Sequence, residues 1–261
     1  MTAFRLGSAA AGIAMLVLAL GFYERAEWAT DLWPWTDSSL SFIFLASILA
    51  AIALPVLWIA ATGEQAEVQA GAADLAITFA ATTVYLITLS GDPGQPDLAP
   101  FIVAFAAAFA LTVAMLAWSR RFPWQDDRPI PGPVRGSFVV LAAVLIPVGI
   151  ALAFGVDIFP WELRAESSAI YGFIFLGAAA YFLYGLARPG WSNAAGQLIG
   201  FLAYDIVLIG PFLDRFGEVS GRELLSLSVY TIVLLYSGAV AVYYLFVSED
   251  TRFGSGFASG R

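Results

Sequence analysis

The feature that most constrains this chain is a series of eight long apolar runs. They cover residues 6–23, 39–61, 68–90, 98–118, 136–155, 168–187, 194–213 and 224–247. An α-helix of roughly 20 apolar residues crosses a hydrocarbon layer of about 30 Å, so each run is long enough for one crossing. Only 12% of the residues are charged, and they fall mainly between the runs. The pattern predicts an all-α fold, a polytopic membrane helical bundle of about eight transmembrane helices.

The arginine distribution predicts the orientation, because short cytoplasmic loops retain positive charge. With eight spans, the two termini and the even-numbered loops share one side and contain eight of the twelve Arg, including Arg261. The opposite loops contain four Arg and twelve Asp or Glu. We therefore expect a plasma membrane protein with both termini in the cytoplasm. The first run follows Arg5 as a secretory signal would, but no small-residue cleavage site precedes Glu24, and we interpret the run as a helix.

Two similar segments predict an internal duplication. Residues 31–35 read Asp-Leu-Trp-Pro-Trp and residues 157–161 read Asp-Ile-Phe-Pro-Trp, each between the first two spans of a half. Phe-Ile-Phe-Leu then recurs at 42–45 and 173–176. We predict a first four-helix repeat over 1–126 and a second over 127–261, parallel and related by a pseudo-twofold axis along the membrane normal. The alternative is that two interfacial loops acquired Pro and Trp independently.

The first hairpin also carries a family resemblance. Trp33-Pro34-Trp35 followed by Leu40-Ser41-x-x-Phe44 resembles uncharacterised bacterial multi-pass membrane proteins. The second half matches more loosely, because Phe159 replaces Trp33 and the Leu-Ser pair is missing. The resemblance implies a membrane location and no known activity.

Absent residue types narrow the chemistry. The chain has no His, no Cys and no Lys, so it lacks the usual ligands of zinc, haem and iron-sulfur centres and the amine of a retinal or pyridoxal Schiff base. No nucleophile motif or phosphate loop is apparent, so we expect no cofactor, no metal site and no enzymatic activity. A net charge of -8 argues against nucleic-acid binding, which needs a basic surface.

Two acids inside apolar runs are the candidate functional residues. Asp74 and Asp205 are costly in hydrocarbon, where such groups usually face a bundle interior or a cavity. If the halves pack about a twofold axis, we expect the two carboxylates to approach each other and share a proton. The alternative is structural: each carboxylate accepts hydrogen bonds from nearby Tyr, Ser or Thr groups, with Tyr204 and Thr78 as local candidates, or Asp74 simply lies at the interface.

Other features have structural interpretations. Seven of the eight Trp lie outside the spans or at their last residue, as expected for rings that prefer the headgroup region. Gly196 and Gly200 predict a close helix contact. The sequence favours, by a small margin, a transporter of a small solute or ion, coupled to protons, over a non-catalytic accessory or scaffold subunit. The expected partners are the lipid bilayer and other membrane proteins or a second copy.

Overall fold

The computed structural model describes residues 2–126 and 128–253, so Asp127 and Arg261, which entered the charge count, lie outside the described residues. Within these residues every regular element is a helix or a helical turn, and there is no β-strand. Its α-helices are α1 (Thr2–Tyr23), the short α2 (Glu27–Thr30), α3 (Ser39–Thr62), α4 (Val68–Leu89), α5 (Ala99–Ser119), α6 (Gly132–Ala153), α7 (Ala165–Ala187), α8 (Trp191–Arg215) and α9 (Gly221–Val242). A short 3-10 turn, Gln65–Glu67, precedes α4, and a π-helical turn, Tyr243–Val247, follows α9.

Eight of these helices are long and apolar enough to cross a membrane, which confirms the predicted fold class. Their outward surfaces carry bare apolar side chains, among them Leu20, Val103 and Ile232. A surface of that kind is stable against lipid tails and unstable against water. This is the architecture of an integral membrane protein.

Local chemistry sets several of the helix ends. Ser38 caps α3 by accepting a hydrogen bond from the Ser41 N–H at 3.3 Å, which satisfies a donor that has no partner within the helix. Gly63 ends α3 in the left-handed conformation with φ 80°, where a side chain would be strained. Pro133 lies in the first turn of α6, where a missing N–H costs nothing. Helix α6 therefore begins four residues before the predicted run.

The helices pair in the same way in both halves of the chain. Helix α1 packs on α3 and α6 packs on α7, while α4 pairs with α5 and α8 pairs with α9. The halves meet through two interfaces, α3 with α8 and α4 with α7. Exchanging the halves converts each of these contacts into another of the set. The predicted duplication is compatible with this arrangement and stays a prediction.

The α3–α8 interface is a close backbone contact. A Cβ added at Gly200 would lie 2.9 Å from the Ala51 carbonyl oxygen and 3.3 Å from the Pro55 ring. The predicted close approach at Gly200 is therefore present. Gly196, one turn earlier, leaves room instead for the side chain of Glu67.

Three Trp rings near the ends of the spans are buried in the protein and do not face headgroups. Trp35 and Trp161 are buried, and so is Trp191 at the start of α8, so the prediction of interfacial rings is wrong for these three. The Trp161 indole N–H donates to Ser41 Oγ at 3.1 Å, which joins the second half to the first. Burial there is compatible with the polar indole N–H because it has a hydrogen-bond partner. An aromatic core surrounds it, centred on Phe44 and Phe159.

We call the end of the bundle where α1 and α6 begin the termini end. The opposite end is called the acidic end, because its loops contain twelve of the Asp and Glu residues.

Candidate functional site

A row of polar side chains follows one face of α4, where α4 packs against α7. The residues are Glu67, Asp74, Thr78 and Thr82, at spacings of seven, four and four. Such spacings fall on one face of an α-helix, and the row spans about 22 Å at 1.5 Å per residue. We call this row the polar stripe.

The middle of the polar stripe is packed directly on α7. Thr78 Oγ1 is 3.4 Å from Asp74 Oδ1 and 3.4 Å from the Phe173 carbonyl oxygen. Gly177 of α7 faces the same pair, and a Cβ added there would collide with both side chains. Asp74 is therefore held in the interface between the two halves. The structural alternative, a Thr78–Asp74 hydrogen bond, is present only as a weak contact, because 3.4 Å exceeds the usual O–H···O range of about 2.5–3.0 Å.

The termini end of the polar stripe is a buried glutamate. Glu67 is only 7% exposed. Its Oε1 accepts a hydrogen bond from the Trp58 indole N–H at 3.3 Å, while Oε2 is buried and has no partner among the described residues. A buried oxygen without a partner costs about 1–3 kcal/mol, so its persistence calls for a role.

Tyr181 of α7 is in the neighbourhood of both acids. A Cβ added at Gly196 would be 3.6 Å from Glu67 Oε2 and 3.9 Å from the Tyr181 hydroxyl oxygen, so both oxygens lie within 4 Å of the same point. The Tyr181 hydroxyl also interacts electrostatically with Asp74 and with Glu67. Tyr181 is therefore a third ionisable group near the two acids.

A hydrogen-bonded network lies beyond the acidic end of the polar stripe and is separate from it. Thr82 is fully buried, and its hydroxyl has no partner among the described residues. One turn further, Tyr85 interacts electrostatically with Glu166. Glu166 accepts a hydrogen bond from Gln95 at 2.9 Å, and Gln95 accepts one from the Trp35 indole at 2.9 Å. Titratable and hydroxyl groups therefore follow α4 along its length, and acids and amides lie beyond its acidic end.

Acids outside the spans lie beyond both ends of the polar stripe. At the termini end Glu64 accepts from the Gln125 backbone N–H at 2.9 Å; burial raises the pKa of Glu64, and that hydrogen bond opposes the effect. At the acidic end Asp37 accepts from Ser167 at 2.5 Å and from Trp33 at 2.7 Å. Burial raises the pKa of Asp37, while the two donors act in the opposite direction.

Asp205 occupies a different interface, between α8 and α9. Both carboxyl oxygens lie near Ser237 Oγ, at 3.1 and 2.9 Å. Asp205 also forms part of the floor of an apolar groove of about 210 Å³, whose lipid-facing walls include Ile206, Leu235 and Val242. Gly238 brings α9 close to the carboxyl.

Two expectations about these residues are wrong. Tyr204 is not the partner of Asp205, because its hydroxyl hydrogen-bonds to Tyr230; the structural alternative for Asp205 is present with a serine, Ser237. Asp74 and Asp205 do not form a pair, because Asp74 packs against α7 and Asp205 against α9. The physical reason is the direction of the side chains: Asp205 points toward α9 and away from the interface between the halves.

The polar stripe has a sequence signal that charges inside apolar runs alone do not give. Glu67 precedes the third apolar run and so resembles a loop residue. Thr78 and Thr82 do not stand out, because Thr is a common residue in membrane helices. Their common face with Asp74 is the signal that would have joined them. Tyr181 and Gln197, which is fully buried with an unpartnered Oε1, carried no signal.

No protein-family model matches this chain, and no curated protein or solved structure matches it either. The resemblance to bacterial multi-pass proteins stays an expectation from the first hairpin.

Proposed function

We propose that the protein transports protons or a small solute coupled to protons across the plasma membrane, along the interface between α4 and α7. The observation that carries the proposal is the polar stripe, with two carboxyls on the first half and the hydroxyl of Tyr181 near them on the second half. Interfaces between repeats are where many transporters hold substrates and coupling ions. The proposal includes the predicted orientation, with the termini end in the cytoplasm, and no catalytic step.

The chemistry supports proton movement. Ionisable groups inside a bundle face high desolvation costs and commonly mark proton relays. Glu67, Tyr181 and Asp74 each offer an oxygen that binds or releases a proton or passes one on. None of the three makes an ion pair in the described part of the chain. An unpartnered Glu67 Oε2 is an acceptor ready for a proton arriving from the termini end.

The test is proton flux into liposomes that contain the purified protein, driven by a valinomycin potassium potential and followed with an internal pH dye. The flux is repeated with a panel of amines, amino acids, carboxylates and inorganic cations. We expect Glu67→Gln to slow the protein-dependent flux by roughly tenfold, because an amide accepts a hydrogen bond from Trp58 but cannot carry a proton.

Two variants control this experiment. Glu162→Gln removes the same charge at an exposed position of the acidic end and should leave the flux unchanged. Gly196→Ala adds a methyl group at ordinary contact distance between Glu67 and Tyr181 and should slow the flux without unfolding the protein. Flux equal to that of empty liposomes under every condition, or a Glu67→Gln variant as fast as the original, would contradict the proposal.

The second candidate function is an accessory or scaffold subunit, and the α8–α9 groove favours it. An apolar groove with one buried carboxyl suits a partner helix that carries a hydrogen-bonding residue. Because the chain has no Cys, Leu235→Cys introduces a single reactive group in the groove, and Val103→Cys on α5 is the matched lipid-facing control. A discrete adduct from Leu235→Cys alone, after treatment of native membranes with a permeant bismaleimide, would support this function. No adduct, or equal adducts from both variants, would count against it.

A further inference from the structure

A depression of about 380 Å³ opens at the acidic end, beside the loop that connects α2 and α3. Its volume falls in the range of small-molecule sites. The lining combines aromatic rings with a polar rim, and the residues that matter are Asp31, Trp33, Trp35, Thr36, Phe42 and Phe101. Trp35 and Phe42 are buried and form the floor, while Trp33 and Phe101 are partly exposed and form walls.

The indole rings are held in place before any ligand arrives. Trp33 donates its indole N–H to Asp37 at 2.7 Å, and Trp35 donates to Gln95 at 2.9 Å. The two rings meet at 5.8 Å with an interplanar angle of 75°. Because both indole N–H groups are occupied, the indoles present ring surface to the depression, and its hydrogen-bonding side chains are those of the rim, Thr30, Asp31 and Thr36. Rings that need no rearrangement lose little entropy on binding.

The charge around the depression is negative. Asp31 is exposed at the rim and makes no ion pair within the described residues, and no Arg lines the depression. Three of the four Arg at this end are paired with acids, in the pairs Arg164–Glu166, Arg215–Glu218 and Arg222–Asp157. The remaining acids attract cations and repel anions.

Aromatic faces next to a carboxylate select a particular class of ligand. Ring faces attract cations within about 6 Å, and quaternary ammonium groups are bound in this way. A metal cation would instead need several oxygen ligands, commonly more than one carboxylate, and Asp31 is the one carboxylate among the described lining residues. We propose that this depression binds a small organic cation of the quaternary ammonium class, with its methyl groups against Trp33 and Phe101 and its charge near Asp31. The inference does not depend on the transport proposal.

The test is equilibrium binding of choline to the purified full chain in maltoside micelles, followed by tryptophan fluorescence. The neutral isostere 3,3-dimethyl-1-butanol is the matched ligand. We expect a saturable change with choline at millimolar concentrations and binding of the isostere that is about tenfold weaker or more, because it lacks the charge. Trp33→Leu should abolish most of the signal.

A pair of variants distinguishes binding at this site from the general attraction of cations to the acidic end. Asp31→Asn should weaken choline binding by about tenfold, since it removes the nearest carboxylate. Asp92→Asn removes the same charge at another exposed position of this end and should change the affinity less than about twofold. Equal effects of the two variants, equal binding of the neutral isostere, or no saturable change up to about 50 mM choline would overturn the proposal.

Lipid nanodiscs distinguish two sources of a quaternary ammonium group, a lipid headgroup and a free cation. If the natural occupant is a lipid headgroup, choline should bind in phosphatidylglycerol nanodiscs and lose affinity in phosphatidylcholine nanodiscs, where the lipid competes. If the occupant is a free cation, choline should bind equally in both.

Discussion

Ser237→Ala should destabilise the protein more than Asp205→Asn, because Ser237 has only one hydroxyl hydrogen to share among its neighbours. The single hydroxyl hydrogen of Ser237 has four oxygens within 3.1 Å: both oxygens of Asp205 and the carbonyls of Val233 and Leu234. A Ser inside a helix commonly donates to the carbonyl one turn earlier. The contact with Asp205 then needs a hydrogen from the carboxyl. We therefore expect Asp205 to be protonated, as its low-polarity surroundings also favour.

The expected magnitudes follow from this assignment. Ser237→Ala leaves the buried Asp205 carboxyl without a hydrogen-bond partner, which costs about 1–3 kcal/mol. Asp205→Asn places an amide donor where the acid donated. Because a side-chain hydrogen bond in a membrane bundle is worth about 0.6 kcal/mol on average, that variant should lose less than about 0.5 kcal/mol. The double variant Ser237→Ala, Asp205→Leu removes both polar partners. It should lose less stability than the sum of the losses in the single variants Ser237→Ala and Asp205→Leu.

The assay is reversible unfolding in mixed micelles, together with infrared difference spectroscopy across a pH titration. A carbonyl-stretching band of a protonated carboxyl should be present at neutral pH and absent from Asp205→Asn. The reasoning is refuted if Asp205→Asn is the more destabilised variant, or if the band is missing. A band that titrates and responds to added cations would instead make Asp205 a working acid open to the α8–α9 groove.

Two further predictions concern the packing and the termini end. Gly200→Ala should destabilise the bundle by about 1–3 kcal/mol, because its methyl group would press on the Ala51 carbonyl and overpacking has that cost; Gly210→Ala, which meets nothing within 4 Å, is the control in the same thermal unfolding assay. Glu64 has a pKa raised from its ordinary value of 4.5 by burial, so the folded state binds this proton more tightly than the unfolded state and stability should fall as pH rises from about 4.5 through the folded-state pKa. Glu64→Gln should flatten that part of the stability-versus-pH curve, and an unchanged slope would show that another group is responsible.

The helices themselves could be predicted from the sequence to within a few residues. Apolar runs of about 20 residues have one stable form in a bilayer, because a helix satisfies every backbone hydrogen bond within the segment. The start of α6 departs from this, since Pro131 and Pro133 looked like a loop although proline is compatible with a first helical turn. Asp74 and Asp205 were recognisable for the same reason as the helices, as charges inside apolar runs.

The partners of those residues depended on which helices pack together and on the rotation of each helix about its axis. Ser237 is 32 residues from Asp205, and Tyr181 is on a different half from Glu67 and Asp74, so periodicity within one helix could not join them. Glu67 looked like a loop residue, and the packing of α3, α7 and α8 around it determined that it is buried. Composition and run length thus predicted a membrane bundle, with the eight helices of spanning length found in the described part of the chain. Only the tertiary structure decided which polar groups meet, because in lipid the helices associate through side-chain packing and hydrogen bonds between segments far apart in sequence.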